Sequence, residues 1–223
     1  MIKISPSLMC ADLLNLHRDI ETLLRVGVDQ FHLDVMDGHF VRNFGLCYDL
    51  IKQIRATTQL PLEVHLTIDN PESHIDLAAE AGADIITIHP DVTPNLDAAV
   101  RQIIDRGKGA CLAIAPRTPL HVLDDLLEHL TLINLMAVNP GFAGQKASPD
   151  TFDKIRQLRE TLTAAGSQIP IQIDGNTSYD NIPAMINNGA DILVLGTSSL
   201  FRQQLPLGES LKAVKTYIQN MAV

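Results

Sequence analysis

Residues 31–43 read FHLDVMDGHFVRN, and this stretch joins an apolar segment to a polar turn. The apolar segment carries His32 and Asp34 two residues apart, a spacing that places both side chains on one face of a β-strand. Gly38 and polar neighbours follow at once, so we predict that the strand ends there. An imidazole beside a carboxylate at the carboxyl end of a strand indicates chemistry more than packing.

Short β-branched segments alternate with longer amphipathic stretches along the chain. We predict strands at 2–7, 30–34, 62–66, 85–89, 110–115, 132–138, 171–174 and 192–195. The expected helices lie between them, at 13–26, 48–56, 73–81, 96–105, 120–130, 149–164, 179–188 and 207–221. Eight such βα units predict an α/β fold, a single (β/α)8 TIM barrel that takes up residues 1–223 as one domain.

The composition favours a globular domain and argues against nucleic-acid-binding and membrane-spanning proteins. The 223 residues are 46% hydrophobic, which is enough for one sizeable core, and the formal net charge is −9. That charge argues against a nucleic-acid partner. No apolar run reaches the roughly 18 residues of a membrane span. The three cysteines (Cys10, Cys47 and Cys111) have unrelated spacings and fit buried thiols in a reducing compartment, so we expect a soluble cytoplasmic protein.

The strands of a parallel barrel all end on one face, where the active site lies. The polar residues at the predicted strand ends are Ser7, His32, Asp34, His65, His89 and Asp174. Two imidazoles (His32, His65) and two carboxylates (Asp34, Asp174) could bind a divalent metal, and such mixed ligands suit zinc, iron, manganese or cobalt. A single strand histidine is more often a core residue, and it is their convergence on one rim that favours a site. For His89 we leave open a structural or a supporting role.

Glycine-rich loops follow the last three predicted strands. Their residues are Gly141, Phe142, Ala143 and Gly144, then Gly175 and Asn176, then Gly196 and Thr197, where we expect a short helix to begin. Glycine lets the backbone approach a ligand closely, and loops in these positions commonly bind phosphate. Each glycine pair alone is a turn, but together they favour a phosphorylated ligand. Met9, Met36 and Met136 either fill the core or line the site.

These motifs resemble those of the ribulose-phosphate 3-epimerase family. The matching stretches are SPSL at 5–8, HxDVMDGHFVxN at 32–43, HL at 65–66, VNPGFxGQ at 138–145 and DG at 174–175, where x marks a position outside the match. The resemblance runs in order from residue 2 to about residue 201. It implies an isomerase of the ribulose-phosphate-binding barrel type, which moves a proton at C3 of a phosphorylated ketose.

The resemblance also implies roles for particular residues. His32, Asp34, His65 and Asp174 would hold one divalent cation, with Asp34 and Asp174 as the acid and base. Substrate contacts are implied for Ser7, Met36, His65, Gly141, Phe142, Ala143, Gly144, Gly175, Asn176, Gly196 and Thr197. The expected reaction converts D-ribulose 5-phosphate to D-xylulose 5-phosphate.

Four positions depart from the commonest family pattern: Arg42 and Thr67 replace a proline and a methionine, and Ala143 and Asn176 replace glycines. Residues 8–10, 141–144 and 196–198 are more similar to the allulose-6-phosphate 3-epimerase branch. The epimerisation of D-allulose 6-phosphate to D-fructose 6-phosphate therefore stays an alternative, as does a non-catalytic sugar-phosphate-binding barrel. Scattered Leu and Ile on the outer helix faces lead us to expect a homo-oligomer, although isolated exposed apolar residues are normal.

Overall fold

Parallel strand pairing closes the chain into a barrel. The computed structural model describes residues 1–201 and 204–221, and in these residues eight parallel strands surround one axis in sequence order. The strands are β1 (Lys3–Pro6), β2 (Phe31–Met36), β3 (Leu62–Thr67), β4 (Ile85–Ile88), β5 (Gly109–Ile114), β6 (Leu132–Met136), β7 (Ile171–Asp174) and β8 (Ile192–Leu195). β1 pairs with β8 over four residues, and a parallel bridge between Ser7 and His32 joins β1 to β2. The predicted (β/α)8 barrel is confirmed.

Seven α-helices in the described residues cover the outside of the barrel. They are α1 (Leu16–Val26), α2 (Tyr48–Thr57), α3 (Ile75–Ala81), α4 (Leu96–Asp105), α5 (Thr151–Ala164), α6 (Ile182–Asn187) and α7 (Leu207–Gln219). On α1, Leu16, Ile20 and Leu23 recur every three or four residues and are buried, which is the pattern of an amphipathic helix packed on the sheet. This helical layer positions the strand ends on one face.

The helix predicted at 120–130 is wrong. Two 3₁₀ helices, Leu120–Leu123 and Leu127–His129, stand in its place. Leu123, which ends the first, and Leu126, which precedes the second, are both buried, so the segment packs on the barrel without forming an α-helix. The short helix expected after β8 is also not formed at 197–200, which instead make a turn whose amides at Leu200 and Phe201 donate to the carbonyl of Gly196.

The three cysteines are free thiols, as the sequence predicts. Cys111 is buried on β5 and Cys10 is half-buried, but Cys47 is exposed. The expectation of buried thiols is therefore wrong for Cys47, because it lies at the N-terminus of α2, where the helix leaves the barrel rim. Among the residues that the structure describes, no helix combines the length and the apolar character needed to cross a membrane.

Gly45 is packed against the end of β2. A Cβ atom at this position would lie 2.3 Å from the carbonyl oxygen of Asp34 and 2.8 Å from the amide nitrogen of Met36. Because both atoms belong to the backbone, we expect Gly45→Ala to lower the free energy of unfolding by about 1–3 kcal/mol, measured by urea denaturation. Gly208→Ala is the matched control, since a Cβ there meets only side-chain methyl groups, those of Thr22 at 3.3 Å and Val26 at 3.6 Å. Equal stability of both variants would contradict this packing.

Candidate functional site

Four of the predicted ligands meet at the mouth of the barrel. β2 supplies His32 and Asp34, β3 supplies His65 and β7 supplies Asp174. His32 Nε2 lies 3.1 Å from Asp34 Oδ1 and 3.2 Å from His65 Nδ1. Asp174 Oδ2 is 3.7 Å from each of these two ring nitrogens. One ligand atom of each residue thus lies within 4.8 Å of the other three.

The spacing of these atoms fits a divalent cation. The separations that involve a histidine nitrogen run from 3.1 to 3.7 Å, and the corners of a four-ligand site with bonds of about 2.1 Å lie roughly 3.4 Å apart. All four side chains are buried or nearly so, with exposed fractions of 0%, 8%, 1% and 15% for His32, Asp34, His65 and Asp174. Two nitrogens and two carboxylate oxygens are a donor set for zinc, iron, manganese or cobalt.

Each histidine presents only one ring nitrogen to this cluster. The other nitrogen of His32, Nδ1, is 2.9 Å from Oε2 of Glu63. The other nitrogen of His65, Nε2, is 2.8 Å from Nε2 of His89, a buried residue whose ring contacts Phe40 edge to face. His89 therefore contacts a predicted ligand from behind, which favours the supporting role. Sequence reasoning missed Glu63, although a charged residue two positions before His65 on an apolar strand was a usable signal.

The two carboxyl groups differ in proton affinity. Burial raises the pKa of Asp174, and the negative charge of Asp34 adds to this effect against the opposing influence of His32 and His65. Burial also disfavours ionisation of Asp34, but the charges and hydrogen bonds of the same two histidines outweigh it and hold the pKa of Asp34 well below its usual range. The Ser7 hydroxyl donates to Asp34 Oδ2 over 2.7 Å. Environments that separate two pKa values in this way are typical of an acid and base pair.

A cleft of about 540 Å³, open to solvent, lies above the four ligands. With one exception, every residue expected to contact substrate lines it: Ser7, Met36, Gly141, Phe142, Ala143, Gly144, Gly175, Asn176, Gly196 and Thr197. The exception is His65, which is buried and does not line the cleft. Met9 and Met136 also line the cleft, so all three methionines border the site, and Met36 and Met136 are buried there as well.

The glycine-rich loops have the backbone conformations that close approach requires. Gly175 has a φ of 100°, and Asn176, which replaces a family glycine, has a φ of 47° in the left-handed region that Asn tolerates better than most residues. Its Oδ1 accepts a hydrogen bond from Asn181 Nδ2 over 2.6 Å, which secures this conformation. Asn43, a side chain that was not predicted to take part, donates to the carbonyl of Gly141 over 2.8 Å and ties the loop after β2 to the loop after β6.

Cys10 borders the same cleft. Burial, with the nearby charge of Asp34, raises the pKa of its thiol to about 11. At pH 8 its thiolate is thus roughly a hundredfold scarcer than that of a thiol with the ordinary pKa of 9.0. We expect iodoacetamide to modify exposed Cys47 first and Cys10 at least about tenfold more slowly, with the Cys10 rate still rising above pH 10. Mass spectrometry of peptides measures both rates, and equal rates at pH 8 would contradict the expectation.

Comparison with known proteins agrees with the geometry of the site. The family model described as the ribulose-phosphate 3 epimerase family matches residues 3–201. A ribulose-phosphate 3-epimerase from Bacillus subtilis strain 168 is 37% identical over 199 residues, which cover 89% of this chain and 92% of the relative. The ribulose-phosphate 3-epimerase of Escherichia coli K12 is 37% identical over 201 residues, covering 90% and 89%.

A structural relative supports the architecture alone. A mutant tryptophan synthase α-subunit from Pyrococcus furiosus superposes with a TM-score of 0.69 over 100% of this chain and 99% of its own, at 13% sequence identity. The match to the family model and the identity to the two curated relatives extend over most of the chain. The chain therefore belongs to the ribulose-phosphate 3-epimerase family.

Proposed function

We propose that this chain interconverts D-ribulose 5-phosphate and D-xylulose 5-phosphate through proton transfer at C3 by two aspartates. As a member of its family, the chain is an isomerase that acts on a carbohydrate phosphate. The observation that carries the proposal is the convergence of two histidines and two aspartates within 4.8 Å, beneath a cleft lined by glycine-rich loops. The allulose 6-phosphate alternative is not favoured, since the relatives reported above are named for ribulose phosphate.

We propose that His32, Asp34, His65 and Asp174 hold one divalent cation, which is zinc, iron, manganese or cobalt. The buried position and the spacing of their ligand atoms support this assignment. When bound, such a cation supplies Lewis-acid stabilisation of the negative charge that develops as the C3 proton leaves. The family's metal dependence makes this the expected cofactor.

Asp34 and Asp174 are the proposed proton carriers. They lie on β2 and β7, the strands that flank the β1 and β8 pair on its two sides. Epimerisation removes a proton from one face of C3 and returns one to the other face, so two carboxyl groups on different sides of the substrate are required. Burial raises the pKa of Asp174, whereas the two histidines hold the pKa of Asp34 low and the Ser7 hydroxyl donates to it, so the two carboxyl groups have distinct environments, as an acid and base pair requires.

The proposed phosphate contacts are the backbone groups of the three glycine-rich loops at 141–144, 175–176 and 196–197. Their position after β6, β7 and β8 is the common phosphate site of such barrels. Met36, with Met9 and Met136, covers the reacting end of the cleft with apolar surface and reduces access of water. A substrate contact of His65 stays a prediction, since this residue is buried and does not line the cleft.

Three further expectations remain proposals. We propose that residues 1–223 form one domain and that copies of the chain associate into a homo-oligomer. Leu14, which is 96% exposed, and Leu13, which is 55% exposed, present apolar surface that such an interface could cover. Light scattering after size-exclusion chromatography measures the mass, and a single 24.4 kDa species would contradict the oligomer. A cytoplasmic location, expected from the free cysteines, stays a prediction.

The exchange of the C3 proton with D₂O, followed by NMR, tests the proposed reaction. Ribulose 5-phosphate and allulose 6-phosphate are compared, each with and without a chelator. We expect chelator-sensitive exchange and conversion of ribulose 5-phosphate, with much slower reaction of the hexulose. Exchange of allulose 6-phosphate alone would assign the chain to that substrate instead. Binding of either sugar phosphate to the metal-loaded protein without exchange would favour the non-catalytic barrel.

A further inference from the structure

A layer of polar side chains lies inside the barrel, directly beneath the proposed metal centre. Its central member is Glu63 on β3, which is completely buried and pairs in register with His32 on β2. A buried carboxylate is costly unless hydrogen bonds and charges compensate it. Neither the proposed proton transfer nor phosphate binding uses Glu63, so its burial calls for another explanation.

Three donors surround the Glu63 carboxylate. Oε2 lies 2.9 Å from His32 Nδ1 and accepts a hydrogen bond from Gln172 Nε2 over 2.7 Å. Oε1 accepts a hydrogen bond from the Thr87 hydroxyl over 2.7 Å. With donors on two sides already, Glu63 acts as an acceptor toward His32 as well, and the Nδ1 of His32 is the donor.

The orientation of Gln172 supports this reading. Its Nε2 also donates to Asn134 Oδ1 over 3.2 Å, while its Oε1 accepts from Gln30 Nε2 over 2.9 Å. If the Gln172 amide were turned around, its carbonyl oxygen would face the Glu63 carboxylate, and its amino group would face the amino group of Gln30. Both contacts would be repulsive. The network therefore has one consistent direction of donation, and it ends at the carboxylate that faces His32.

We propose that Glu63 is a positioning residue that commits His32 to metal binding through Nε2. The inference rests on the proposed metal site. Donation from Nδ1 to Glu63 leaves the lone pair on Nε2, the nitrogen that faces Asp34 and His65. The charge-assisted hydrogen bond also fixes the ring plane and makes the imidazole a stronger donor to a cation. The outer nitrogen of His65, by contrast, meets the imidazole of His89 and not a carboxylate.

Cobalt binding to the whole chain tests this role independently of turnover. We expect Glu63→Gln, which keeps the shape but removes the charge, to weaken Co²⁺ affinity by about 10- to 100-fold, measured from the visible absorption of the bound ion. Thr87→Val is the matched control, since it removes a hydrogen bond of the same carboxylate without touching His32. Its affinity should change by less than about threefold. A loss as large as that of Glu63→Gln would overturn the specific link to His32.

The unaltered protein provides a second readout that does not depend on the variant folding. In the zinc-loaded chain, long-range ¹H–¹⁵N spectra should show His32 with a proton on Nδ1 and a metal-shifted Nε2. A His32 ring that binds zinc through Nδ1, or that lacks the Nδ1 proton, would overturn the proposal. If the unaltered chain binds neither Co²⁺ nor Zn²⁺, both the proposed metal site and the role of Glu63 are wrong. If it binds both and Glu63→Gln binds Co²⁺ equally well, the inference alone fails.

Discussion

Asp174→Asn is expected to lower turnover of ribulose 5-phosphate by at least about 10³-fold while the barrel stays folded. The amide has nearly the shape of the carboxyl group, but it can neither give nor take the C3 proton, and it is a weaker metal ligand. Asp174 lies at the end of β7 and is 15% exposed, so the core beneath it keeps its packing. A coupled assay of xylulose 5-phosphate formation gives the rate, and circular dichroism reports the fold.

Asp180→Asn makes the same chemical change six residues further along, at an exposed position, and serves as the control. Its turnover should match that of the unaltered chain. Asp34→Asn should lose activity to a similar extent as Asp174→Asn, because it removes the other proposed proton carrier. A folded Asp174→Asn protein with an unaltered rate would refute the two-aspartate assignment.

Removal of the metal by a chelator is expected to abolish turnover and to lower the melting temperature. A ligand present at 100 times its dissociation constant stabilises the folded state by about 2.7 kcal/mol. For a chain of this length, that loss corresponds to a fall of roughly 5–10 °C. The chain should nevertheless stay folded, because its core is built from buried aliphatic side chains of strands and helices that need no cation. Differential scanning calorimetry and the coupled assay measure the two effects.

A chelator saturated with zinc beforehand is the control for direct effects of the reagent on the protein. Adding zinc, iron, manganese or cobalt singly to the stripped chain should restore turnover, and the most effective ion identifies the metal that this donor set uses best. Elemental analysis measures how much metal the stripped chain still holds. If a chain with less than about 0.05 metal ions per molecule kept full turnover, the proposed cofactor would be contradicted, since one bound ion per active chain is required.

The alternation of apolar segments predicts the strands well, because a barrel strand is buried on both faces and short. β7 and β8 have the predicted bounds, 171–174 and 192–195. The convergence of His32, Asp34, His65 and Asp174 follows from the same reasoning, since the ends of parallel strands meet on one face. The 120–130 segment was mispredicted because its apolar spacing is compatible with both helical periods, and contacts with the barrel decide between them.

Two properties of the site depend on distances that no sequence pattern contains. Which aspartate carries a proton at rest is open from the sequence. The opposite pKa directions of Asp34 and Asp174 depend on burial, which disfavours ionisation of both, and on the two histidines, which outweigh burial only at Asp34. The interior contact between Glu63 and His32 depends on the stagger between β2 and β3. Both residues were visible in the sequence as polar positions on apolar strands, but only the register shows that they meet.

The junction between β1 and β2 is the part of the barrel wall where strand separation needs the fewest hydrogen bonds to break. Within the described residues, these two strands share the single bridge between Ser7 and His32, whereas β2 and β3 pair over six residues. Two proposed ligands lie on β2 and one on β3, and the fourth, Asp174, reaches the site from β7 on the other side of the junction. A cation bound by all four residues therefore links the two sides of the junction that has the fewest strand-pairing contacts. Catalytic competence and protection of these amides from hydrogen exchange should then be gained and lost together.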